Sequence, residues 1–305
     1  MTQTAKKILA ADVGGTNIRA AVVSDGNITE ELRSQISLGD RDISENDLIE
    51  KLSSFFHQTI SSHNDISAIG IGFPGFFLGS SDTLISSPNL PKLNNVNLAQ
   101  KLSEALNLPV SIQNDALCAA IGEQRFGAGE GIPNLLHITL GTGIGGGLIL
   151  NNTPYTGEGG MAMEFGHLTV EHDDSARACG CGGFGCVEAY ASATAISARY
   201  FDASGTQSDS KNIYMQACGD DETAKAIIES AGHYLGMAIA EAVKLLDIHN
   251  VTISGGLTGA WPLLHPAIMD SLNNSLIPPL KGKINVLRSS LDDNAGLLGA
   301  AALVS

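Results

Sequence analysis

Two glycine-rich turns, each set between short apolar runs, constrain the fold of this chain more than any other feature. The first copy is Ile8-Leu9-Ala10-Ala11-Asp12-Val13, then Gly14-Gly15-Thr16, then Ile18-Arg19-Ala20-Ala21-Val22-Val23. Apolar runs of that length around glycines read as strand, turn, strand. Laying Ile8 to Val23 over Leu135 to Leu150 repeats the same sixteen-residue frame and brings Gly14 onto Gly141. Two copies of one hairpin point to a duplicated α/β fold. Chance similarity of apolar runs is the alternative.

The rest of the chain alternates in the same way. Asn46 to Ser62 carries Leu48, Ile49, Leu52, Phe55, Phe56 and Ile60 on one helical face, and Ala68 to Phe73 returns to a buried strand. A second amphipathic helix is expected over Leu98 to Leu106, and the short strand Val110 to Ile112 delivers Asn114-Asp115 at its end. Ala224 to Leu246 reads as a long helix, Val251 to Ser254 as a strand ending in Gly255-Gly256, and Ala295 to Val304 as a packed terminal helix. Asp202 to Asn212 is polar enough to be an exposed loop.

A chain of 305 residues fits two medium domains, each with its own core. Seventeen basic against 32 acidic side chains give a net charge of −15, which repels nucleic-acid backbones and anionic membranes. Neither is an expected partner. A local phosphate site stays allowed, because backbone N–H groups and Mg²⁺ hold phosphate without basic side chains. The apolar stretch after Lys6-Lys7 is cut off by Asp12, far short of a signal-peptide core, and nothing reaches the length of a membrane span. The expected location is the cytoplasm.

Asp12-Val13-Gly14-Gly15-Thr16 puts a carboxylate at a strand end, where Asp12 can hold Mg²⁺ directly or through water, beside glycines that let backbone approach a phosphate. It lacks the lysine and the spacing of a P-loop. Gly141-Thr142-Gly143-Ile144-Gly145-Gly146 satisfies the dinucleotide-binding glycine pattern, yet Gly147 to Leu150 reads as a strand where a Rossmann site needs a helix. It is read as a second phosphate loop, with Thr142 and nearby amides facing the γ-phosphate. An ordinary tight hairpin is the alternative for both. Asp115 suits the carboxylate that phosphoryl transfer needs near an acceptor hydroxyl, although an Asn-Asp pair after a strand also serves as a turn or helix cap.

Three of the five cysteines lie close together, and His167, Cys179, Cys181 and Cys186 form His-x₁₁-Cys-x-Cys-x₄-Cys. One imidazole and three thiolates suit a closed, tetrahedral, structural zinc site. Glu164 and Glu188 bracket this cluster, so a rigid metal loop could aim both carboxylates at sugar hydroxyls. Solvated surface glutamates are the alternative.

Taken together, Asp12 to Thr16, Phe73-Pro74-Gly75, Asn114-Asp115, Leu140 to Gly143, Glu164 to His167, Cys179 to Glu188 and Ser254-Gly255-Gly256 cover nearly the whole chain. In this order they resemble the ROK (repressor, open reading frame, kinase) family of sugar kinases, within the actin-like ATPase superfamily. The resemblance implies a two-domain α/β fold of the actin-like, ribonuclease H-like kind, with a zinc-binding loop and an interdomain cleft. Residues 1–113 would form the first domain, completed by a C-terminal helix at 293–305, and 114–292 the second. It further implies Asp115 as catalytic base, with Asn114, Glu164, His167, Glu188, Asn89 and Gly75 on the sugar. Gly14, Gly15, Thr16, Gly141, Thr142 and Gly143 would hold phosphates, Gly255-Gly256 would lie against adenosine, and zinc would sit on His167, Cys179, Cys181 and Cys186.

Similar proteins are usually homodimers. Two departures stand out: Leu117 replaces a second asparagine after Asn-Asp-Ala, and Asn17 replaces a lysine. Some relatives are repressors with an N-terminal DNA-binding module, but here the first phosphate motif begins about a dozen residues in, and the acidic surface opposes DNA binding. The expected activity is ATP-dependent phosphorylation of a hexose 6-hydroxyl. The stretch Cys186 to Ala195 resembles the glucokinase branch, so glucose comes first, an N-acetylhexosamine second and fructose third.

Overall fold

The computed structural model describes residues 6–14, 18–34, 42–63, 65–78 and 82–305. Gly15, Thr16 and Asn17 therefore lie outside the described residues. The strands are β1 (Lys7–Val13), β2 (Ile18–Ser24), β3 (Asn27–Ser34), β4 (Ile66–Phe73), β5 (Phe76–Leu78), β6 (Thr83–Ser86), β7 (Asn94–Val96), β8 (Val110–Asn114), β9 (Leu135–Leu140), β10 (Ile144–Leu150), β11 (Thr153–Pro154), β12 (Asn250–Ser254) and β13 (Asn285–Arg288). The α-helices are α1 (Glu45–Ser62), α2 (Leu98–Leu106), α3 (Asp115–Phe126), α4 (Glu188–Ala191), α5 (Ala193–Ser204), α6 (Ser210–Cys218), α7 (Glu222–Leu246), α8 (Trp261–Ser275) and α9 (Ala295–Ala302).

Two five-stranded sheets repeat one topology: β3-β2-β1-β4-β8 and β11-β10-β9-β12-β13. In the first sheet β1 is antiparallel to β2 and parallel to β4, which is parallel to β8. In the second, β12 is parallel to both β9 and β13. The repeated hairpin is thus a repeated half-fold, with β1-β2 and β9-β10 at equivalent places. That β10 is a strand removes the Rossmann reading of the second glycine turn.

By packing, the chain divides into two compact units. One is Met1–Gly131, Gly147–Ala162 and Asn294–Ser305, and the other is Ile132–Gly146 and Met163–Asp293. This departs from the boundary expected at residue 113. The reason is α3, which packs along α9, so both helices join the first unit with β1 and β4.

In the first unit the central strands are buried on both faces, and Leu9, Ile69, Ile71, Phe56 and Phe73 form the core beneath α1 and α2. Ser44 caps α1 by accepting the Asp47 N–H at 3.2 Å, and Asn97 caps α2 by accepting that of Gln100 at 3.0 Å. In the second unit α7 packs against α8, α6 and α5. The exposed loop expected over Asp202 to Asn212 is found at 205–209, while its two ends belong to α5 and α6. Gly205, at φ +70°, closes α5, and Asp209 opens α6 by accepting the Asn212 N–H at 2.8 Å. No helix among the described residues is long and apolar enough to cross a membrane.

His137, fully buried on β9, lies 2.9 Å by Nδ1 from Thr252 Oγ1 and 3.0 Å by Nε2 from Ser254 Oγ, both on β12. Two hydroxyls satisfy a neutral ring, one accepting and one donating. Burial lowers its pKa to about 3. Between about 3 and the ordinary value of 6.5 the unfolded chain carries a proton that the folded chain does not. Its contribution is therefore fully present above about pH 6.5 and is lost as pH falls, by up to about 1.4 kcal/mol per pH unit. Urea unfolding of wild type and His137→Leu from pH 7 to pH 4.5 is expected to show the steeper acid loss only in wild type. Equal slopes would contradict it.

Candidate active site

In the first unit the site is built where β1, β4 and β8 end. Asp12 lies near the end of β1, half-buried, and Gly14 follows that strand. Asn114 closes β8, and Asp115 opens α3. Asn114 does cap this helix, its Oδ1 accepting the Leu117 N–H at 3.0 Å, while its Nδ2 donates to Gly75 O at 3.1 Å. The cap leaves the neighbouring Asp115 with a local bond to its own helix, since its Oδ1 accepts the Ala116 N–H at 2.8 Å.

Burial raises the Asp115 carboxyl above the ordinary carboxylate range, opposed in part by the N–H groups of Ala116 and of Asp115 itself. A base of raised pKa holds a transferred proton more readily. Behind it sits Cys118, whose thiol is pushed well up, first by burial and then by the charges of Asp12 and Asp115. The structure thus brings both carboxylates to one thiol. Leu117, at the departure from the usual asparagine, is buried, so its side chain packs rather than offering a polar contact.

Gly75 is enclosed by the strand opposite: a Cβ there would lie 2.6 Å from Leu84 Cδ1 and 3.0 Å from Ser86 O. Ser87 then donates to Pro74 O at 2.6 Å, which fixes the turn carrying the exposed Asn89. Asn114, Gly75 and the Asn89 turn are therefore neighbours through hydrogen bonds and packing.

In the second unit a short 3₁₀ turn, Phe165–His167, follows the exposed Glu164. His167 Nε2 is 3.6 Å from Glu164 Oε2, while its Nδ1 is 3.6 Å from Cys179 Sγ. Cys181 and Cys186 sulfurs are 3.7 Å apart, and the four ligand atoms lie within 4.8 Å of one another. A tetrahedral zinc ion with ordinary bond lengths requires sulfur–sulfur edges of about 3.8 Å and sulfur–nitrogen edges of about 3.5 Å. The donor set fits a metal of that kind. Burial, followed by the neighbouring thiols, pushes Cys186 up to about 12, which a bound cation would reverse.

Glu188 opens α4, two residues after Cys186, and is half-buried. Its Oε2 accepts the Ile144 N–H at 2.9 Å, and its Oε1 lies 3.8 Å from Cys179 Sγ. The glycine turn at 141–143 is held from the same segment: Ala193 N–H donates to Gly141 O at 3.0 Å and Thr194 Oγ1 to Thr142 O at 2.9 Å. Thr194 was not among the residues singled out from sequence, where this stretch served only as a family likeness. Its hydroxyl at a helix start is the one signal that could have marked it. Gly255 ends β12 at φ +95°, with room only for hydrogen, since a Cβ would lie 2.2 Å from Leu140 O. Gly256 beside it is exposed, which leaves its backbone open to a ligand.

A family model described as "ROK family" matches residues 8–305. The glucokinase of Thermotoga maritima is 30% identical, the alignment covering 98% of this chain and 97% of that one. The glucokinase of Halalkalibacterium halodurans is 33% identical, with 97% and 94% covered. Among solved structures, a ROK family glucokinase from Streptomyces griseus, in complex with glucose and AMPPNP, is 31% identical with a TM-score of 0.83, covering 97% and 98%. With the repeated sheets, the glycine turn at 141–143 and the Cys/His cluster in place among the described residues, and the family model matched over residues 8–305, this chain belongs to the ROK family.

Proposed function

We propose that this chain is an ATP-dependent hexose kinase that phosphorylates the 6-hydroxyl of glucose, with Asp115 as general base. The observation that carries the reading is the Asp115 carboxylate itself, half-buried at a helix start with a raised pKa. In the reaction the Asp115 carboxylate takes the hydroxyl proton as that oxygen bonds to the γ-phosphorus of ATP. The bond from phosphorus to the bridging oxygen breaks and leaves ADP.

Asn114, Gly75 and Asn89 orient the sugar, as do Glu164, Glu188 and the Nε2 edge of His167. Gly14, Gly15 and Thr16 hold phosphate, as do Gly141, Thr142 and Gly143, with Gly255 and Gly256 against adenosine. Asp12 would hold Mg²⁺ directly or through water, and the ion would supply charge neutralisation on the transferring group. His167 Nδ1, Cys179, Cys181 and Cys186 would hold zinc, which would supply a closed cross-link in the loop between Glu164 and Glu188. A cytoplasmic homodimer is the accompanying expectation.

Purified protein assayed with Mg·ATP against glucose, N-acetylglucosamine, N-acetylmannosamine and fructose, with its metal content measured, tests this reading. The expected result is the highest kcat/KM on glucose and one zinc per chain. A preference for an N-acetylhexosamine would keep the reaction class and change the substrate. Sugar binding with no turnover on any of the four would replace the kinase by a sugar-sensing regulator.

A further inference from the structure

Helix α4 is a single turn, too short to hold its own position, since isolated turns of helix are unstable without tertiary support. Its support is Tyr190, 5% exposed, which is tied down from three directions. Its hydroxyl accepts the backbone N–H of Arg177, in the loop that carries the cysteines, at 2.8 Å. Its carbonyl, one of those left open at the end of the turn, accepts Arg199 Nη1 at 2.7 Å. Its ring packs at a tilt of 33° against that of Tyr234 of α7, with centroids 4.2 Å apart.

Arg199 completes the arrangement from α5. Its Nη2 donates to Ser230 Oγ on α7 at 2.7 Å, and its guanidinium lies 6.0 Å from the Tyr190 centroid and 5.8 Å from that of Tyr234. Among the described residues it forms no ion pair. A guanidinium held by a carbonyl, a hydroxyl and two aromatic rings spends its fixed fork on geometry rather than on charge pairing. The same turn carries Glu188, two positions before Tyr190, with its carboxylate on the Ile144 N–H.

We propose that Arg199 is a positioning residue for Glu188: it clamps the carbonyl end of α4 to α5 and α7 and so fixes the direction in which Glu188 meets the sugar. The inference rests on the reading that Glu188 binds sugar. Nothing in it requires Arg199 to touch a substrate.

A double-mutant cycle on the full-length, metal-loaded protein tests it, with Arg199→Met and Glu188→Gln measured for the KM of the sugar, for kcat and for zinc content. Arg199→Met is expected to raise the sugar KM about tenfold or more, as loss of an outer support commonly does. In the Glu188→Gln background its further effect should stay below about threefold, because the two residues act as one. Zinc content should be unchanged. A fall in kcat with unaltered KM would mean a smaller active fraction and would overturn the proposal. So would equal factors in both backgrounds.

Glu188→Gln with an unaltered sugar KM would instead refute the assignment of Glu188, a failure distinct from additivity. Should Arg199→Met not fold, Ser230→Ala removes only the Nη2 anchor and enters the same cycle. A smaller but still non-additive rise in KM is then expected, and additivity decides against the clamp.

Discussion

Replacing Asp115 by asparagine is expected to lower kcat by a factor of about 10² to 10⁴, the usual contribution of a positioned general base. Sugar binding should change little, since the amide keeps the shape and one acceptor oxygen for the Ala116 N–H. The loss belongs in kcat, because the proton is transferred only as the phosphoryl group moves. A pre-steady-state assay with saturating glucose and Mg·ATP would read it directly.

The pH profile carries a second signature of the same residue. Burial places the carboxyl pKa above its ordinary 3.8, so the acid limb of kcat/KM is expected above that value and absent from the residual activity of Asp115→Asn. The stability sign runs opposite to the catalytic one. A carboxyl whose folded pKa is raised favours the folded state when protonated, and that advantage disappears as pH rises through the folded pKa. At neutral pH Asp115→Asn should therefore be as stable as wild type or more so, the pattern of a group kept for chemistry at a cost to folding. An asparagine variant with full kcat would remove Asp115 from the mechanism.

The second large effect is expected at Gly299 on α9, where that helix crosses α3. A single methyl there would lie 1.7 Å from Cys118 O and 2.9 Å from Gly122 N, both backbone atoms of α3. Gly122 answers from the other helix, where a Cβ would lie 2.1 Å from Ala295 O. Backbone touches backbone at this crossing, so no side-chain rotation relieves the clash.

Helix propensity alone would make Gly299→Ala stabilising by about 1 kcal/mol. Overpacking against main chain opposes it with about 3 kcal/mol or more, and the overpacking wins. Gly296→Ala is the control in the same helix, because its Cβ would meet nothing nearer than Asp12 Oδ2 at 3.4 Å. Chemical denaturation should show Gly299→Ala strongly destabilised and Gly296→Ala neutral or slightly stabilised. If both behave alike, the helices are not in the contact described.

The element types were legible in the sequence because their signals are local. Alternation and apolar runs marked the paired hairpins, and helical spacing marked α1, α2 and α7 close to their observed limits. The Cys/His spacing selected four side chains that the structure gathers within 4.8 Å, since a loop of twenty residues leaves few other ways to pair them. The loop expected over Asp202 to Asn212 came out shorter, at 205–209, because Gly205 ends α5 and Asp209 opens α6, both residues that also read as loop composition.

What the sequence determined by itself was the repeat, the order of the motifs and the chemistry each one can support. The tertiary structure alone decided which distant groups meet. It set α9 against α3 and so drew the start of that helix, with Asp115, into the first unit. It placed Glu188 on the Ile144 N–H and Arg199 on the Tyr190 carbonyl. Such contacts depend on how helices and sheets stack over tens of residues, and no period of a few residues in the chain records them.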